Sequence, residues 1–238
     1  MPMPASTSGS RRSPLKATIA LAAGLLALPP VGCDKDAGGE SPEEKVRQIA
    51  AVTNDRPRGG GAALARALDD PSPKVRKAAL LGLSQYVTPE HRGAIERACR
   101  DGDPHVRAGA ATTLSLYRDQ ASSELLAGLL SADSDEAVRM AAASGLKLNP
   151  SQKAIVSLLE NAEKNTSPAA QVRAMQAVLS RLGLRSYRNL GPGGGREWRA
   201  LIEEVKHNKV IREAYAATGT SLVYHPEDKK PDAPGHSP

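Results

Sequence analysis

Asp70-Pro71-Ser72-Pro73-Lys74-Val75-Arg76-Lys77-Ala78-Ala79 recurs twice further along the chain. It returns as Asp101-Gly102-Asp103-Pro104-His105-Val106-Arg107-Ala108-Gly109-Ala110 and as Asp133-Ser134-Asp135-Glu136-Ala137-Val138-Arg139-Met140-Ala141-Ala142. In each copy an Asp stands six residues before the Arg, and a Leu (Leu83, Leu114, Leu146) eight residues after the Val. Further out, the dipeptide reappears as Val46-Arg47 and Val172-Arg173, giving five copies at separations of 29, 31, 32 and 34 residues. A sustained period of this size marks a repeat architecture, in which each repeat is one supersecondary unit.

The physics of one unit is readable. Pro73 and Pro104 suit a first helical turn, where a missing N–H costs nothing. Ser72, Asp103 and Asp135 can cap the orphan amides there. The Val and the Leu eight positions on share one helical face, with small residues between them. Upstream of each such helix lies another apolar-periodic stretch: Ala62–Leu68, Ile95–Cys99, Leu125–Leu130 and Ile155–Leu159. Each repeat is thus a helix A, a tight turn and a helix B, and it must stack on its neighbours to bury its apolar face. The reading is an all-α chain, an α-solenoid of helix-turn-helix units over residues 41–184, with Ser41-Pro42-Glu43-Glu44 starting the first helix as a capping box.

This pattern resembles the HEAT repeat family in its short bacterial form. The resemblance implies that Asp70/Arg76, Asp101/Arg107 and Asp133/Arg139 form a structural ladder, each Arg reaching an Asp of an adjacent unit. The outer copies depart from it, with Ser41 before Arg47 and Ser167 before Arg173. It also implies a surface lined by the B helices. Positions one before, two after and nine after each Val point away from the buried stripe. They are Lys74, Lys77 and Ser84; His105, Ala108 and Ser115; Ala137, Met140 and Lys147; Gln171, Ala174 and Arg181. The set is mildly basic and holds no acid, so Lys74, Lys77, His105, Met140, Lys147 and Arg181 are the candidate face for an acidic protein partner.

Composition agrees with closely packed helices. The chain has 238 residues, 38 of them Ala, no Phe and 3% aromatics. That disfavours a β-sandwich core or a deep aromatic cofactor pocket. Two cysteines make neither a disulfide framework nor a four-thiolate zinc site.

Residues 1–32 read as an address. Arg11, Arg12 and Lys16 precede a 12-residue apolar run, Ala17–Leu28, of signal-peptide length and too short for a bilayer. Pro29 and Pro30 end it, and Val31-Gly32-Cys33 follows. This resembles a bacterial lipoprotein signal, with Pro30 where a Leu is usual. The resemblance implies a lipidated Cys33 and a chain anchored in the cell envelope, facing the periplasm. Ser10-Arg11-Arg12-Ser13-Pro14-Leu15-Lys16 is similar to a twin-arginine export signal, with Pro14 replacing Phe; the general secretory route is the alternative. Three of the six net positive charges are Arg11, Arg12 and Lys16, leaving +3 on residues 33–238. The case for a nucleic-acid partner weakens accordingly.

Residues 33–40 read as the lipidated Cys and a polar tether, and residues 185–195 as a Gly-rich linker whose glycines lack the lysine of a phosphate loop. Trp198, Leu201, Ile202 and Val205, then Val210, Ile211, Ala214 and Tyr215, mark a helical pair over residues 196–224 that caps the last repeat, with Gly219 as its stop. Residues 225–238 read as a disordered polar tail.

No motif carries chemistry. His91, His105, His207, His225 and His236 show neither an i,i+4 pair nor a partner Cys, so no metal is expected, and no cofactor. Cys99 lies at helical spacing from Ile95 and reads as a core residue. The expectation is a monomeric, non-enzymatic, membrane-anchored scaffold or adaptor that binds protein and no nucleic acid. The alternative is a relative of bilin lyases or another enzyme accessory. A DNA glycosylase, also known among such solenoids, conflicts with export.

Overall fold

The structure is a computed structural model, and it describes residues 40–184 and 196–224. The signal, Cys33, the linker over 185–195, His225, His236 and the tail therefore lie outside the described residues. Among the described residues every regular element is helical. The helices are α1 (Pro42–Asp55), α2 (Gly60–Ala67), α3 (Pro73–Leu83), α4 (Pro89–Ala98), α5 (Pro104–Leu114), α6 (Gln120–Ala132), α7 (Glu136–Leu148), α8 (Gln152–Lys164), α9 (Pro168–Arg181), α10 (Arg196–Lys206) and α11 (Lys209–Thr218). The fold is an α-solenoid.

Helix starts follow local chemistry. Pro occupies the first turn of α1, α3, α5 and α9. Side chains of Ser41, Asp103, Asp119, Asp135, Ser151 and Ser167 each accept an orphan N–H of the helix they precede. Two residues before these caps a second polar side chain ties the turn: Asp101, Asp133, Asn149 and Asn165 accept the N–H two residues on, and Asp70 does the same before α3.

The chain forms two compact units, residues 1–94 and 95–238, with the division inside α4. In the first unit α1 and α2 pack on α3. Val52, Ala63, Leu64, Val75, Ala79, Leu80 and Leu83 fill that core. In the second unit the B helices α5, α7 and α9 pack in sequence, α6 and α8 pack side by side as A helices, and α7 and α9 close onto α6 and α8. A Cβ on Gly145 would stand 2.9 Å from the Ser115 Cβ and 3.1 Å from Leu126 Cδ1, so only glycine lets α7 come this close to its neighbours. The cap pair packs on α8, burying Trp198, Leu201, Ile202, Val205, Ile211, Ala214 and Tyr215. Val210 departs from the reading, being 46% exposed. Asn208 caps α11 and Gly219 ends it at φ 67°.

The structure corrects the repeat register. The N-cap positions Ser41, Ser72, Asp103, Asp135 and Ser167 are equivalent, although the Ser72 side chain, against expectation, accepts no helix N–H, and they place Arg76, Arg107 and Arg139 four residues inside their helices. The same count in the outer copies lands on Lys45 and Gln171, two residues short of Arg47 and Arg173. Burial agrees: Ala170 and Ala174 fill the places of Val138 and Ala142, while Val172 and Arg173 lie toward solvent. The cap and the Pro fix where a helix starts, and the Val-Arg dipeptide does not.

Candidate functional site

The Asp and Arg side chains at the turns do two jobs. Nη1 of Arg76, Arg107 and Arg139 donates to the carbonyls of residues six and five positions back, clasping the turn of its own repeat. Arg107 also forks onto the next repeat, with Nε to Asp133 Oδ2 at 2.8 Å and Nη2 to Asp133 Oδ1 at 2.9 Å. The hydrogen bond from Arg107 holds the Asp133 carboxyl below its usual range, and the same bond raises the guanidinium. In the first unit Asp70 receives Lys45 Nζ at 2.7 Å, while Arg47 bonds the exposed Glu44. The register shift explains this exchange, since Lys45 holds the position of Arg76. One repeat beyond Asp133 the equivalent residue is Asn165, whose amide donates to the Leu130 carbonyl and the Asn161 side chain. Arg139 accordingly keeps its turn carbonyls but has a buried Nε without a hydrogen-bond partner.

The predicted binding face divides. In the first unit Lys74 and Lys77 are exposed on α3, and Lys74 approaches Glu43 at 3.4 Å. In the second unit His105 and Lys147 are exposed and Met140 is half-buried. Three expected positions are not on the face. Ser115 opens a short 3-10 turn packed against α7 and is buried. Ala174 is in the core. Arg181 turns back on the chain, its Nη2 donating to the Pro150 and Ser151 carbonyls at 3.2 Å, and burial lowers its pKa. The register shift accounts for the last two. The face positions of α9 are instead Ala169 and Val172.

With those residues in place, an open groove of about 380 Å³ runs between α7 and α9, lined by Met140, Pro168, Ala169, Val172, Arg173 and Gln176. Sequence reading missed it because the Val-Arg match hid Val172 in the core stripe. The Ser167-Pro168 start was the signal that could have found it.

The remaining candidates for chemistry are enclosed or scattered. Cys99 is buried, and burial pushes its thiol up to about 12, so it is neutral and a weak nucleophile. His91 is buried in the first unit against Gly61, and His207 stacks on Tyr224 at 4.9 Å in the second. Among the described residues no group of three His, Cys, Asp or Glu side chains could hold a metal, and no helix is long and apolar enough to cross a membrane.

Residues 61–147 match the family model of HEAT repeats. That match runs from α2 to α7. No curated protein matches it. A similar solved structure is the complex of CpcE and CpcF of phycocyanin lyase from Nostoc sp. PCC7120, with 17% identity over 80% of this chain and 81% of that chain, at a TM-score of 0.46.

Proposed function

We propose that the protein is a non-enzymatic repeat scaffold of the cell envelope, anchored through Cys33, that binds a protein partner on the outer faces of its B helices. The carrying observation is the division of α3. Val75, Ala79, Leu80 and Leu83 are buried, while Lys74 and Lys77 stand exposed on the opposite side of the same helix. Lys74 reaches only the exposed Glu43, at 3.4 Å, and the buried face of α3 packs without either cation. Exposed cations of one sign favour an acidic partner and speed its association.

The test is a double Lys74→Glu, Lys77→Glu variant. Exposed substitutions of this kind move stability by less than about 0.5 kcal/mol, so helical circular dichroism and the melting point should hold. Proteins crosslinked to the parent at low salt should be lost from the variant, the most acidic first. Recovery of the same proteins at the same yield would end the reading for this face.

The anchor has its own test. Gly32-Cys33 closes an apolar run of signal length, and lipid chains at Cys33 give stable attachment where one chain alone would be marginal. Cys33→Ala should release the protein from membranes or leave it unprocessed. A mature-sized variant that still fractionates with membranes would exclude Cys33 as the anchor.

A further inference from the structure

The groove between α7 and α9 brings apolar B-helix face positions of two successive repeats together. Met140 on α7 and Ala169 and Val172 on α9 occupy equivalent face positions of two successive repeats, and they meet along one channel. The cap helices α10 and α11 pack on α8, on the A-helix side, and the channel is lined by α7 and α9 alone among the described residues.

Charge selects the occupant. Arg173 is exposed and is the charged residue lining the groove. Lys147, seven residues beyond Met140, lies exposed two turns along the same side of α7. The acid on these two helices is Glu136, whose Oε2 accepts the Ser167 hydroxyl at 2.9 Å. The groove lining thus holds one cation and no acid, and a visiting carboxylate meets Arg173. Met is well suited to such a site, because its unbranched side chain repacks around different apolar shapes. An Arg at the edge of an apolar patch is also the common arrangement at protein interfaces.

We propose that the α7–α9 groove docks an acidic segment of a partner protein, seating an apolar side chain against Met140, Ala169 and Val172 and laying a neighbouring carboxylate on Arg173. This rests on the scaffold reading but does not depend on Lys74 and Lys77. Loss of binding on the α3 face and loss in the groove are separate results.

The protein offers its own reporter. It has four methionines, Met1, Met3, Met140 and Met175, and Met175 is buried within α9. Full-length protein labelled at the Met methyl carbons would be titrated with a synthetic peptide carrying one Leu between Asp and Glu residues. The control is the same peptide with Asn and Gln in their place. The Met140 resonance should shift saturably with the acidic peptide, and binding of the neutral one should be weaker by about two- to fivefold, the size expected for an exposed ion pair. Arg173→Glu should abolish that difference while leaving the circular dichroism unchanged. Val172→Asp should abolish binding of both peptides.

Absence of a Met140 shift overturns the proposal. So does an equal response to both peptides, which would make the groove an unselective apolar patch. A Met140 line that shifts with protein concentration alone would assign the groove to a second copy of this chain, and would also overturn it. Reversal of preference toward a basic peptide in Arg173→Glu would be the strongest support.

Discussion

Replacing Lys206 by Ala should lower the stability of the second unit by about 3–5 kcal/mol, the cost of removing one partner from a buried ion cluster. The Lys206 side chain is 1% exposed. Its ammonium donates to Glu163 Oε1 at 2.8 Å, Glu203 Oε1 at 2.9 Å and the Val223 carbonyl at 2.7 Å, which uses all three of its hydrogens. It thereby links α8, α10 and the segment after α11. Alanine would leave two carboxylates, 17% and 14% exposed, without their cation, and the Val223 carbonyl without its donor. Ala is the best helix former, so the loss cannot be assigned to helix propensity.

Trp198, the single Trp, reports on this event directly. Its indole is buried and donates to the Ala162 carbonyl at 3.0 Å, so its fluorescence follows the docking of α10 on α8. The urea midpoint read at Trp198 should fall by the corresponding amount. A triple variant, Lys206→Met with Glu163→Gln and Glu203→Gln, should recover most of it, because no uncompensated charge is left behind. The pH dependence has a definite sign. Burial pulls the Lys206 ammonium down, but its hydrogen bonds to Glu163 and Glu203 outweigh that and hold the pKa above the ordinary lysine value. A folded pKa raised above the unfolded value gives stabilisation that is complete below the unfolded pKa and lost as pH rises through the folded one. The parent should therefore lose stability in the alkaline range above about 10.5, where the variant has no such group to titrate. A Trp198 transition within about 0.5 kcal/mol of the parent would show that the cluster contributes nothing.

Much of the architecture was legible because few physical signals determine it. The Asp-x-x-x-x-Val-Arg period, Pro at helix starts and the Val/Leu stripe all act locally, and Val75, Val106, Val138, Leu83, Leu114 and Leu146 are buried as the period requires. The errors came from treating the Val-Arg dipeptide as the register mark. In α1 and α9 the cap and Pro win, the helix begins two residues earlier relative to the dipeptide, and one shift of about 200° around the helix moves Val172 from core stripe to outer face. That single displacement accounts for the buried Ala174, the inward-turned Arg181, the substitution of Lys45 for Arg47 at Asp70, and the groove itself. The Lys206 cluster was illegible for another reason. Glu163 and Lys206 are 43 residues apart on helices whose mutual placement no local pattern encodes.

Arg107→Ala should cost about 3 kcal/mol, because the guanidinium makes four hydrogen bonds and one partly buried ion pair that no other side chain replaces. Arg107 and Asp133 are 15% and 6% exposed, which sets them apart from the Lys74–Glu43 pair at 77% and 61%. Removing the latter should cost roughly 0–0.5 kcal/mol. Asp133 separates the two contributions. Asp133→Asn keeps the acceptor for the Asp135 N–H, as Asn149 and Asn165 do for Ser151 and Ser167, and loses the charge alone. Asp133→Ala loses both, and should be the more destabilised of the two by about 1 kcal/mol. The acid response follows from the sign of the shift. The Arg107 hydrogen bond holds the Asp133 carboxyl below 3.8. A depressed folded pKa gives stabilisation that is present above the unfolded pKa and lost as pH falls through the folded one. The difference in urea midpoint between the parent and Arg107→Ala should therefore stay constant from neutral pH down to about 4 and shrink below it. If Arg107→Ala and Lys74→Ala show equal midpoints at neutral pH, or if the gap for Arg107→Ala widens in acid, the fork between successive turns does not hold the repeats together.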